Sequence, residues 1–290
     1  MTQTQIRPTT LSGIKSLAGD LKKSLGIKHF EALQQASIAA GYQNLAHARA
    51  ALAHAAPASA ASLPRHTTII LRHWKDRDNK QTGTEALAID LAHPFGELIP
   101  SQEVMEKHNL LHGYWVYDRN QLIATSMDSA QAIAHFTICQ TARVLQFMDV
   151  TGLRPSRSTR RIYPGNSSRN RIPGADHTHA WYDPKTRGYL MTDEPYESRA
   201  EELLGKRMQW AQTHDYDVHK VGWLGMYAPD VGSRLHLVGN SQGGIDLIKM
   251  KQELDQLPEV FRADNWQGVS LPFAGLAVRD EKINHPVKAS

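Results

Sequence analysis

The sequence predicts an α+β protein: a small N-terminal three-helix module, an alanine-rich linker, then a larger domain with a mainly antiparallel sheet and flanking helices. Three observations carry that expectation. Apolar residues recur at three- and four-residue steps over the first fifty positions, the spacing of one helical face. Nine of the seventeen residues from Ala48 to Pro64 are alanine, so that stretch reads as a helix end running into a linker of small residues. Beyond it, β-branched and aromatic runs joined by hairpin-like turns alternate with helical patterns, which argues against a wholly parallel sheet. The expected divisions are 1–56, 57–65 and 66–290.

In the first segment, Leu11, Ile14, Leu17, Leu21 and Leu25 form one apolar stripe, and Gly26 supplies the left-handed residue that ends a helix. Phe30, Leu33, Ala36 and Ala40 form a second stripe, stopped by Gly41. Asn44 is placed to cap a third helix carrying Leu45, Ala48 and Leu52, and Pro57 ends it. After the linker, 66–74 and 85–91 read as a hairpin around a polar stretch ending at Gly83. A helix near 101–110 and a strand near 114–124 follow. Asp128 is expected to cap a long helix, 129–150, with Ile133, Phe136, Cys139, Ala142, Val144 and Leu145 inward and Gly152 as its stop. A second hairpin spans 177–192 with its turn at Asp183–Gly188. Helix 197–213, strands 217–223 and 234–239 and helix 244–256 complete the order, with Trp223, Met226, Tyr227 and Pro229 packing a core corner.

Composition narrows the function classes. The 290 residues have the apolar and charged fractions of an ordinary globular chain. Cys139 is the single cysteine, which excludes an internal disulfide and any cysteine-cluster zinc site. No apolar run reaches the roughly 18 residues of a membrane span, and the opening Met1-Thr-Gln-Thr-Gln-Ile-Arg-Pro lacks an apolar signal core. Cytoplasm is the expected location. Six of the 33 basic residues but only two of the 29 acids lie in residues 1–56, so the whole net charge of +4 belongs there. A basic element on a neutral body suits a nucleic-acid binder.

Four segments carry candidate chemistry. In a helix-turn-helix reading of the N-terminal module, Gln43, Asn44, His47 and Arg49 face the major groove while Lys22, Lys23 and Lys28 meet phosphates; the plainer reading is a docking unit with solvated lysines. Leu153–Gly174 carries Arg154, Arg157, Arg160, Arg161, Arg169 and Arg171 with no acid. Guanidinium forks match phosphate or carboxylate oxygens two at a time; otherwise this is a surface loop pairing with acids elsewhere. Next, a strand through His177, His179 and Trp181 presents all three on one face. Its two imidazoles can bind a metal, with Asp176, Asp193 or Glu194 as a further ligand, or act as acid and base; the alternative is an exposed strand. Last, Gly239, Ser241 and Gly243 satisfy G-x-S-x-G between an apolar strand and a helix. That short stretch resembles the α/β-hydrolase nucleophile elbow, with Asp264 or Asp280 and His285 left to complete a triad and His112-Gly113 as oxyanion loop. The alternative there is a strand-to-helix turn capped by Asn240 and Ser241.

Taken together, Ile6-Arg-Pro-Thr-Thr-Leu, Gly26-Ile-Lys-His, Gly41-Tyr-Gln-Asn, Trp181-Tyr-Asp-Pro and Tyr189-Leu-Met-Thr-Asp-Glu-Pro-Tyr resemble an uncharacterised bacterial family known as a domain of unknown function. The helical opening is similar to short modules that precede unrelated bacterial domains, including glyoxalase-related ones. That resemblance implies a portable docking or nucleic-acid module, and it brings no catalytic residue and no cofactor. The leading expectation is a regulatory or accessory protein that binds nucleic acid or another phosphate-bearing partner; the alternative is a hydrolase using Ser241, or metal-assisted phosphoryl chemistry at His177 and His179.

Overall fold

A computed structural model describes residues 14, 17–19, 21–22, 26–40, 42–45, 66–240, 242–258 and 261–273. The chain divides into two compact units, Met1–Leu63 and Pro64–Ser290. In the first, helix α1 (His29–Ala39) buries Ala32, Ala36 and Ser37, and Ile14 and Ala18 join its small core. Glu31 accepts from the Lys28 backbone N–H at 3.3 Å, which occupies a donor the helix start would leave open. The buried stripe is rotated from the expected one, since Phe30 is 67% exposed. Alanine packs closer than phenylalanine in so small a unit. Most of the expected third helix, with His47 and Arg49, lies outside the described residues, as does the linker.

The second unit holds two five-stranded sheets rather than the single one expected. In the first, β1 (His66–Asp76) and β2 (Gln81–Leu91) form a hairpin paired over their full lengths. Gly83 lies inside β2, not at the turn, because Trp74 covers it: a Cβ there would sit 2.8 Å from the indole. The strand expected at 114–124 is itself a hairpin, β3 (Tyr114–Asp118) and β4 (Gln121–Asp128). Asp118 accepts the Arg119 N–H at 2.6 Å at the entry to the turn. β4 runs parallel to β1, and β10 (Val269–Leu271) adds to the free side of β2, giving the order β10-β2-β1-β4-β3. Two short helices, α2 (Phe95–Leu98) and α3 (Gln102–Glu106), occupy the connection where one helix was expected.

Helix α4 (Gln131–Thr151) is the centre of this unit. Every residue from Ile138 to Asp149 is buried, the pattern of a helix covered on all sides. Its polar groups are spent on neighbouring loops. Arg143 donates to the carbonyls of Met226, Tyr227 and Phe261, Gln140 to that of Tyr227, and Asp149 accepts from Ala92 and His93. Asp128 does not cap it; that carboxylate is the bidentate partner of Arg72, and Ala130 is the N-cap. Ile133, expected inside, is 45% exposed. Gly152 ends the helix at φ 70°, as expected. At its start, buried Glu85 of β2 accepts from Trp74, Gln131, His135 and Ser270, tying α4, the first sheet and the β10 segment to one carboxylate.

The second sheet is antiparallel throughout, in the order β5-β6-β7-β9-β8. It contains β5 (Arg154–Ser156), β6 (His179–Tyr182), β7 (Tyr189–Asp193), β8 (Tyr216–Lys220) and β9 (His236–Asn240). The helix expected at 197–213 is two, α5 (Glu197–Glu202) and α6 (Leu204–His214). The last, α7 (Leu247–Asp255), starts later than expected because Asp246, not Asn240, caps it by accepting the Lys249 N–H at 2.9 Å. Among the described residues no helix is long and apolar enough to cross a membrane.

Candidate anion-binding cleft

The arginine segment is built into the fold rather than draped over it. Following β5, the chain makes three 3-10 turns, Thr159–Ile162, Pro164–Asn166 and Ser168–Asn170. Ile162, Tyr163 and Ile172 bury into a cluster with Met191, Trp210 and Val238. Asn170 donates to the Pro164 carbonyl at 2.9 Å and accepts from the Trp210 indole at 3.2 Å. Apolar anchors inside an otherwise polar text thus fix a run of guanidiniums on a frame.

The six arginines divide by what they touch. Arg154 donates to the carbonyls of Gly152, Leu153 and Glu97, which serves the C-terminal end of α4. Arg157 lies 3.7 Å from the Glu106 carboxylate. Arg160, Arg161, Arg169 and Arg171 are exposed, and among the described residues none is paired with a carboxylate. Arg161 lies over the Tyr189 ring at 5.1 Å and donates to its hydroxyl at 3.3 Å; Arg171 lies over Tyr163 at 5.8 Å. Both contacts hold a planar cation on an aromatic face.

Arg161 forms one side of an open cleft of about 640 Å³. Tyr163 and Asn166 share that wall, Tyr189 of β7 lies along it, and His214 and Tyr216 come from the α6–β8 junction. The remaining wall is the turn after β9, through Asn240, Gln242 and Gly243. Two segments that read as separate motifs in the sequence therefore border one cleft. Ser241 itself lies outside the described residues. Around it, Asn240 accepts the Gln242 N–H at 2.7 Å, a side-chain-closed turn. β9 is antiparallel to both its neighbours, unlike the parallel strand that precedes a hydrolase elbow. Asp280 and His285 are also outside the described residues; Asp264 is engaged by Arg262, and His112-Gly113 precedes β3 in the other sheet.

The two histidines do not share a strand face. His179 opens β6, but His177 precedes it with left-handed backbone, φ 48°. His177 stacks on Tyr227 at 3.5 Å and His179 on His108 at 4.0 Å. Burial, with His177 nearby, lowers the His179 imidazole to about 4, so it is neutral at pH 7. His108 is fully buried, and burial holds it well below its ordinary value. Its Nδ1 accepts from the Leu110 N–H at 3.2 Å, which puts its proton on Nε2 and leaves no lone pair for a metal. Of the expected further ligands, Asp193 is engaged by Arg207 at 2.7 Å and the Asp176 N–H at 2.8 Å, one Glu194 oxygen accepts the Met226 and Tyr227 N–H groups, and the Asp176 carboxylate lies 3.1 Å from His177. Among the described residues no three His, Cys, Asp or Glu side chains gather as a metal site.

In the N-terminal unit Lys22 and Lys28 are exposed, while Lys23 lies outside the described residues. Comparison with known proteins found no match to this chain among family models, curated proteins or solved structures.

Proposed function

We propose that this protein binds a phosphate-bearing ligand, nucleic acid foremost, through the arginine segment and the cleft beside it. The observation that carries the reading is the set of four exposed arginines, Arg160, Arg161, Arg169 and Arg171, that the 3-10 segment presents without carboxylate partners among the described residues. Lys22, Lys23 and Lys28 extend the same logic to the basic N-terminal unit, which would then act as a second nucleic-acid contact or as a docking module for a partner protein. The protein would serve as a regulatory or accessory factor.

Fluorescence anisotropy of labelled single-stranded DNA and RNA with the full-length protein, at about 50 and 200 mM salt, tests this. Four phosphate contacts on a single strand correspond to a salt slope near −3, hence to roughly 50-fold weaker binding at the higher concentration. No binding at low salt would rule the reading out.

One observation favours a second reading, a serine hydrolase. Asn240, Gln242, Gly243 and His214 border the same cleft, and the G-x-S-x-G text runs through that segment. Covalent labelling by a fluorophosphonate, lost in Ser241→Ala, would support it; an unlabelled wild-type protein would exclude it.

A further inference from the structure

The cleft is larger and chemically more varied than a phosphate requires. At about 640 Å³ the open cleft has room for more than a phosphate. Its lining pairs two partly exposed rings, Tyr189, which carries Arg161 on one face, and Tyr216, with three carboxamides, Asn166, Asn240 and Gln242. A carboxamide offers a donor and an acceptor together, as does the Watson–Crick edge of a nucleobase, and a tyrosine ring offers a stacking face. Arg161 borders the cleft, whereas Arg160, Arg169 and Arg171 belong to the same segment but not to the lining. One nucleotide accounts for Arg161; the other three fit backbone that continues past it.

We propose that the cleft receives one unstacked nucleotide of a single-stranded nucleic acid, with its base against Tyr189 and Tyr216, its edge on the amides of Asn166, Asn240 and Gln242, and its phosphate on Arg161. This rests on the anion-binding reading above and specifies its ligand. A duplex cannot supply the contact, because its bases are stacked and paired inward.

The test compares a short labelled single strand, a duplex of equal length and an unlabelled mononucleotide competitor on the full-length protein. The variants are Tyr189→Leu and the surface-exposed Gln242→Ala, the second guarding against loss of fold in the first. Single strand should bind more tightly than duplex at equal salt. Tyr189→Leu should weaken the single strand by about 5- to 150-fold, the range for one stacked base. Gln242→Ala should reduce discrimination among homopolymers while leaving the salt slope unchanged. Equal binding of single strand and duplex, with persistent salt dependence and indifferent variants, would overturn this proposal and leave the anion reading standing. Competition by mononucleotide on a par with the oligonucleotide would overturn the strand and leave a nucleotide site. Absence of binding by every probe would overturn both readings.

Discussion

Replacing Glu194 by glutamine should flatten the pH dependence of stability between pH 5 and 8. Glu194 follows β7 and is fully buried. One carboxyl oxygen accepts the Met226 and Tyr227 N–H groups at 2.8 and 2.9 Å, and the other has no hydrogen-bond partner among the described residues. Burial pushes this carboxyl up to about 7 from an ordinary 4.5, against the downward pull of the two N–H groups and of Arg143. The folded state thus holds the proton more tightly than the unfolded one. The resulting stability is complete below pH 4.5, declines from there to pH 7, and is absent above. A difference of that size corresponds to about 2–3 kcal/mol lost between pH 5 and 8. Glutamine keeps the shape and the acceptor but cannot ionise. Its buried NH₂ lacks an acceptor at every pH, a constant cost of about 1–3 kcal/mol. His108, His179 and His236 contribute with the opposite sign, since burial lowers all three and their contribution is lost as pH falls below 6.5 through their folded values. Both proteins carry them, so they cancel in the difference. Urea unfolding of wild type and Glu194→Gln at both pH values gives that difference by linear extrapolation. It should change by about 2–3 kcal/mol in favour of the variant on going from pH 5 to 8. Parallel dependences would refute the assignment of a near-neutral proton to Glu194.

Two further substitutions probe the frame of the larger unit. Glu85→Leu should cost about 3–5 kcal/mol in the same unfolding assay, because it strands the Trp74 indole, the Gln131 amide and the Ser270 hydroxyl around a buried site; a loss below about 1 kcal/mol would show that water replaces the carboxylate. Gly83→Ala should cost about 1–3 kcal/mol, since its Cβ would meet the Trp74 ring at 2.8 Å. Gly96→Ala, with nothing within 4 Å, is the matched control and should be neutral or better in its short helix. Equal effects at the two glycines would contradict the close packing described for Trp74.

The α+β class was readable in the sequence because hairpin signals and helical periodicities are local. Gly152 after a 21-residue amphipathic text needed only chain chemistry to be read as a stop. Partition into two sheets was not readable, since it depends on β1 pairing with β4 in parallel, a contact between residues about fifty positions apart. Asp128 shows the same limit at one residue: an Asp before a helix reads as a cap, yet Arg72 across the sheet outcompetes the helix for it. His177 and His179 shared a face only on the premise of a strand, and left-handed backbone at His177 removed the premise.

For the candidate site, arginine density in residues 153–174 was legible in the sequence as a candidate anion-binding segment. Which arginines were free did not follow from it, because Arg154 is consumed by three carbonyls and nothing in the text distinguishes it from Arg160. Tyr189, His214 and Gln242 were missed as members of the same cleft. They come from three elements brought together by the β6-β7-β9-β8 order, although the tyrosines following the arginine run were a legible hint. In the N-terminal unit Lys22 and Lys28 are exposed, and the second expected stripe was misjudged at Phe30.

The most direct test of the central claim is the slope of log K against log salt concentration for a labelled single strand, measured for wild type and for the Arg160→Ala, Arg169→Ala double variant. Both side chains are exposed and without carboxylate partners among the described residues, so their loss leaves the fold intact. The account predicts weaker binding and a slope shallower by about 1.4, roughly 0.7 for each lost phosphate contact. An unchanged affinity and slope would contradict it.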